Sequence, residues 1–136
     1  MSLKKIKIVK LKIIKNLDGD VLKYLDKESK YFKKFGETYF SEILYKKRKG
    51  WNFHKKSQSL LAVPFGKVRF TFADDIKGKR KHITIGKNNY QMIVLPPGIW
   101  FSFTSLEKKS IVINTLNYKH SVKETLKKAL SNKKTH

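Results

Sequence analysis

Lys49-Gly50-Trp51-Asn52-Phe53-His54-Lys55-Lys56 alternates polar and aromatic side chains behind a glycine, the pattern of a strand leaving a turn. Its counterpart further along is Leu95-Pro96-Pro97-Gly98-Ile99-Trp100-Phe101, a proline-glycine turn opening onto a second aromatic strand. Side chains alternate across a strand, so Asn52 and His54 project to one side and Trp51 and Phe53 to the other. The polar pair is expected to face an interior, and the two aromatics to pack a sheet or an interface. Outward from these segments the same two-residue period recurs. It marks strands at 5–14, 21–25, 38–45, 60–65, 67–73, 81–85, 92–95, 100–103 and 110–116, with a lysine-rich loop over 46–50. The segment 29–35 reads as a loop or one helical turn, and Asp74-Asp75 as a hairpin turn rather than a catalytic carboxylate pair. Many short strands with turn signals between them point to an all-β sandwich or barrel. Ser121-Val122-Lys123-Glu124 has capping-box spacing, and Val122, Leu126, Ala129 and Leu130 then share one face, so a short C-terminal helix is expected.

Composition narrows the class. A chain of 136 residues fits a single domain, with the barrel over about 5–118 and the helix and tail over about 119–136. With no cysteine there is no disulfide framework, thiolate metal site or cysteine nucleophile. No apolar run approaches the roughly 18–20 residues of a membrane span. The N-terminus alternates lysine with apolar residues instead of forming a signal-peptide core. A soluble, cytoplasmic protein is expected. The net charge of +22 draws in anions, but only Arg48, Arg69 and Arg80 are arginine and the lysines are spread along the whole chain. No nucleic-acid-binding motif accompanies them, so no specific nucleic-acid partner is expected.

The two opening segments resemble the signature strands of a cupin, a jelly-roll antiparallel barrel. The glycines and proline of that pattern are present as Gly50, Gly66, Pro96 and Gly98. Its metal-ligand positions are occupied by Asn52, His54, Gln58 and Phe101. One imidazole, two amides and a phenyl ring do not supply the three or four donors a divalent metal needs, so no metal and no cofactor are expected.

A narrower resemblance rests on Gly36 to Ser41, Lys49 to Lys56, Val63 to Val68, Pro96 to Phe101 and Asn114 to Tyr118. In that order they are similar to the dTDP-4-dehydrorhamnose 3,5-epimerase superfamily and the neighbouring FdtA/WxcM-like sugar 3,4-ketoisomerases. The resemblance implies a metal-free homodimer acting on a nucleotide-linked 4-keto-deoxysugar, most simply a dTDP-sugar, in bacterial surface-glycan biosynthesis. The chemistry it implies is proton transfer beside a ketone: a base on one face of the sugar, a donor at the ketone oxygen, and an acid to return the proton. The family's base position holds Asn52, and its tyrosine position on the 110–116 strand holds Ile113. His54 is therefore the candidate base and Tyr39 its proton partner. Lys49 and Arg48 are candidates for the diphosphate, with Asn52, Trp100 and Asn114 as further substrate contacts. Two functions are expected on this basis: an epimerase or ketoisomerase, or a non-catalytic cupin that holds a sugar nucleotide or a partner protein. His54 as a core histidine and Trp100 as a packing residue are the plain alternatives. His82, His120 and His136 receive no role.

Overall fold

Inward-facing apolar residues at every second position decide the architecture. In β7 (Lys67–Ala73), Val68, Phe70 and Phe72 are fully buried while Lys67 and Arg69 face outward. The computed structural model describes residues 2–119 and 125–127. Among these, a 3₁₀ turn (Ser2–Lys5) leads into β1 (Lys7–Lys10), β2 (Ile13–Ile14), β3 (Val21–Leu22) and β4 (Glu37–Leu44). β5 (Arg48–His54), β6 (Ser59–Phe65), β7 and β8 (Arg80–Gly86) come next, then β9 (Gln91–Leu95), β10 (Trp100–Ser105), β11 (Lys109–Leu116) and β12 (Thr125–Lys127).

The long strands form two antiparallel sheets, β1-β9-β6-β11-β4 and β12-β5-β10-β7-β8, with β2 and β3 as a separate ribbon. Their apolar inner faces meet in one cluster that includes Ile43, Leu61 and Ile93 from the first sheet and Val68, Phe70 and Ile85 from the second. Phe70 contacts the rings of Phe72 and Phe103 at 6.1 and 5.4 Å between centroids. The all-β jelly-roll expectation holds.

Three local expectations change. The stretch 46–50 is not all loop, because β5 begins at Arg48. The 5–14 stretch is divided: β1 lies at the edge of the first sheet, paired with β9 of the same chain, and β2 pairs with β3. Thr125–Lys127, inside the expected helix, is a strand paired antiparallel with β5. The open edge of β5 offers backbone hydrogen bonds there that an isolated amphipathic turn would not find. The remainder of that expected helix lies outside the described residues.

Two glycines set the geometry of the strand ends. Gly66 (φ 85°) makes the one-residue turn between β6 and β7, where a Cβ would strike Ser110 and the Lys109 carbonyl. Gly50 (φ 115°) lies at a register shift: Phe101 pairs with Asn52 but Ser102 pairs with Gly50. Trp51 is the extra residue of that bulge. A Cβ on Gly50 would lie 2.7 Å from the Phe101 carbonyl oxygen.

Candidate active site

The bulge changes which β5 residues share a face. Strict alternation sets Lys49 opposite Asn52. With one residue extra between them, Lys49 pairs with Phe103 and Asn52 with Phe101, both inward-facing. Lys49 and Asn52 therefore stand on one wall of a cavity of about 480 Å³ between the sheets. Phe101 and Phe103 of β10 adjoin them; β4 contributes Glu37, Tyr39 and Ser41, and β6 and β11 contribute Leu61, Val112 and Asn114. A wider surface hollow lies where β6 meets β7 and β8 meets β9, around Gly66 and Asn88, and no tyrosine lines it.

The polar groups of the cavity are organised. Lys49 Nζ donates to Ser41 Oγ at 2.9 Å, which sets an ammonium on the wall. Asn114 Nδ2 donates to Tyr39 Oη at 3.1 Å. Asn114 Oδ1 is buried without a partner, an acceptor available to a ligand hydroxyl. Burial pushes the Tyr39 phenol above its ordinary pKa; the Asn114 bond opposes this and the charge of Glu37 adds to it. Tyr39 is therefore protonated at neutral pH and able to donate. A carboxylate, an ammonium, a phenol and two amides around one cavity can bind a polar anion and move a proton.

Of the residues expected from sequence, Tyr39, Lys49, Asn52 and Asn114 come together on this wall. Three do not. His54 is 5% exposed, its ring 5.8 Å from that of Phe101, and it is not among the cavity-lining residues. Trp100 pairs with Phe53 at 5.0 Å between ring centroids. Phe101 faces inward, so Trp100 belongs to the opposite face of β10. Arg48 pairs with outward Thr104 and donates to Ser102 Oγ at 3.2 Å, on the far side of the sheet from Lys49. Glu37 and Ser41 were missed. They are two residues either side of Tyr39 on β4, and the two-residue period that selects Tyr39 selects them as well.

The four positions compared with a metal-ligand set are used otherwise. Gln58 Nε2 donates to the Tyr31 carbonyl at 2.8 Å, its backbone N–H donates to Asn117 Oδ1, and Phe101 supplies a ring to the cavity. Among the described residues, no three His, Cys, Asp or Glu side chains converge to hold a metal. No helix among them is long and apolar enough to cross a membrane.

Comparison with known proteins agrees with this architecture. A dTDP sugar isomerase from Desulfovibrio desulfuricans G20 superposes with a TM-score of 0.89 at 29% identity, covering 94% of this chain and 86% of that one. A dTDP-4-dehydrorhamnose 3,5-epimerase from Sulfolobus tokodaii shares the fold with a TM-score of 0.80 at 22% identity, over 93% of this chain and 78% of its own. So does a His-to-Asn mutant of the 3,4-ketoisomerase QdtA from Thermoanaerobacterium thermosaccharolyticum, solved in complex with TDP-4-keto-6-deoxyglucose. Its TM-score is 0.74 at 16% identity, over 89% of this chain and 86% of its own. No curated protein matches the sequence. Residues 4–127 match the family described as FdtA: WxcM-like, C-terminal, and the chain belongs to that family.

Proposed function

We propose that this protein is a metal-independent isomerase of a nucleotide-linked 4-keto-deoxysugar, a dTDP-sugar in the first instance. Its reaction would be an epimerisation or a shift of the keto group, and both begin with removal of a proton from a carbon beside the ketone. The observation that carries this reading is the cavity wall, where Glu37, Tyr39, Lys49 and Asn114 face one space. A base takes the C–H proton, the electron pair moves onto the ketone oxygen, and an acid returns a proton to carbon. Tyr39, kept protonated by burial, suits the acid. Lys49 suits the diphosphate, and the unpartnered Asn114 Oδ1 a sugar hydroxyl. For the base, His54 is the sequence-derived candidate and Glu37 the one already on the wall; position favours Glu37.

A second reading, a binding module without catalysis, draws support from Asn52. It stands on the wall at the position where the family resemblance expects the base, and an amide does not take a proton near neutral pH.

Incubation with dTDP-4-keto-6-deoxyglucose in deuterium oxide separates the two. Deuterium appearing beside the ketone by NMR establishes the isomerase reading. Saturable binding with no exchange across several 4-keto sugar nucleotides establishes the binder. The proposed setting is a cytoplasmic homodimer serving surface-glycan synthesis. The exposed Phe40 and Leu44 on the outward face of β4 support self-association, and sedimentation velocity tests it.

A further inference from the structure

The second sheet also has an outward face, and it carries charge that the cavity does not use. Register orders this face into rows. Arg48, Thr104, Arg69 and Thr84 lie across β5, β10, β7 and β8; Gly50, Ser102, Thr71 and His82 form the next row; Phe53, Trp100, Ala73 and Arg80 form the third. All three arginines of the chain, among 32 lysines and arginines, stand in these rows, and no acidic residue does.

The side chains form a layer over the sheet. Ser102 and Thr71 are 0% and 3% exposed although they project outward, so longer neighbours cover them. Arg48 donates to Ser102 Oγ, and Thr71 Oγ1 lies 3.0 Å from His82 Nδ1. Arg80 holds its guanidinium carbon 4.8 Å from the Trp51 ring centroid and donates through Nη2 to the Ile76 carbonyl. Its Nη1 is buried and finds no acceptor. Among the described residues no arginine forms an ion pair with a carboxylate. Asp74, beside Arg80 at the β7–β8 turn, makes none and leaves its own Oδ1 unpartnered. The guanidiniums act on one another: burial first, then the charges of Arg69 and Arg80, hold Arg48 down at about 10. Burial first, then the charges of Arg69, Arg80 and Arg48, lower His82. Like charges held together with a buried donor unsatisfied are unfavourable unless an anion joins them.

We propose that this face is a second ligand site, where Arg48, Arg69 and Arg80 bind a phosphate-type oxyanion, inorganic phosphate or a phosphomonoester, above Ser102 and Thr71. A guanidinium fork matches two oxygens of such an anion, and the hydroxyls beneath add neutral contacts. The scattered lysines attract anions at long range, whereas the arginines give a fixed geometry. The site stands apart from the cavity and does not depend on the isomerase reading.

The test is a titration of the full chain with inorganic phosphate, and separately with phenyl phosphate, at constant ionic strength, observing the His82 ring by NMR. Saturable binding that raises the His82 pKa is expected. Stronger saturation by phenyl phosphate assigns the site to phosphomonoesters, and equal or weaker saturation to free phosphate. Arg69→Gln should weaken binding roughly tenfold or more, from loss of a charge-assisted bond. Lys33→Gln, an equal charge loss at an exposed lysine, should change it less than about twofold by screening. Arg48→Lys keeps the charge without the fork and should also bind more weakly, which holds the test open if Arg69→Gln misfolds. A non-saturating response, equal effects of Arg69→Gln and Lys33→Gln, or full affinity in Arg48→Lys overturns the proposal.

Discussion

β5 and β10 present two surfaces of opposite design. Their inner side contributes Lys49, Asn52, Phe101 and Phe103 to a cavity that also holds Glu37, Tyr39 and Asn114, so donors, acceptors and both signs of charge surround one space. Their outer side contributes Arg48, Ser102 and Trp100 to a face with three guanidiniums and no carboxylate in its rows. Arg48 and Lys49 are adjacent in the chain and look like a single clamp for a diphosphate. The sheet separates them, and adjacency in sequence is no guide to partnership in a strand.

The sharpest way to break this contrast is at the base. If proton transfer belongs to the cavity wall, Glu37→Gln should lower deuterium exchange by about 10² to 10⁴-fold, the usual contribution of a general base, while nucleotide affinity stays close to wild type. His54→Asn should then retain most of the exchange. The reverse pattern in the same NMR assay would return the base to His54.

Gly50→Ala attacks the bulge that sets Lys49, and not Arg48, on the side of Asn52. A Cβ there meets the Phe101 carbonyl oxygen at 2.7 Å on a backbone with φ 115°. Strain of about 1–3 kcal/mol is expected, read as a lower denaturant midpoint with unchanged slope. An unaltered midpoint would show that the β5–β10 register tolerates a side chain.

Lys49→Ala against Arg48→Ala compares the two faces directly. Removing the cavity ammonium should weaken dTDP binding about tenfold, as expected for one charge-assisted contact, and removing Arg48 less than about twofold. Calorimetry showing equal losses would put both residues on one ligand.

The smallest effect is expected from His82. Its folded-state pKa is lowered, by burial first and then by the arginines, so the neutral form is favoured. The stability it contributes is present above the ordinary histidine value of 6.5 and is lost as pH falls through the depressed one. Thermal melts between pH 7 and 5 should show a shallow acid-side decline that His82→Gln flattens. A steeper decline in the variant would contradict the arginine layer.

Sequence made much of this legible. Alternation in β4, β6, β7, β10 and β11 identified the strands, and Gly66 and the Pro97-Gly98 turn marked their connections. The family came from local motifs, and Tyr39, Asn52, Lys49 and Asn114, expected from sequence to contribute to a site, line one cavity. Periodicity succeeds here because the side a residue faces is a property of its own strand. Strict alternation alone would set Arg48 on the side of Asn52; the register shift against β10, which leaves no periodic mark, sets Lys49 there instead. Periodicity failed also for Thr125–Lys127, where a spacing suited to a helix yields to the open edge of β5. Only the tertiary structure decided that His54 stands off the wall beside Phe101 and that Arg48, Arg69 and Arg80 share one face. The strand order β5-β10-β7-β8 is not the chain order, so the neighbours that turn scattered side chains into a site are set by long-range backbone pairing.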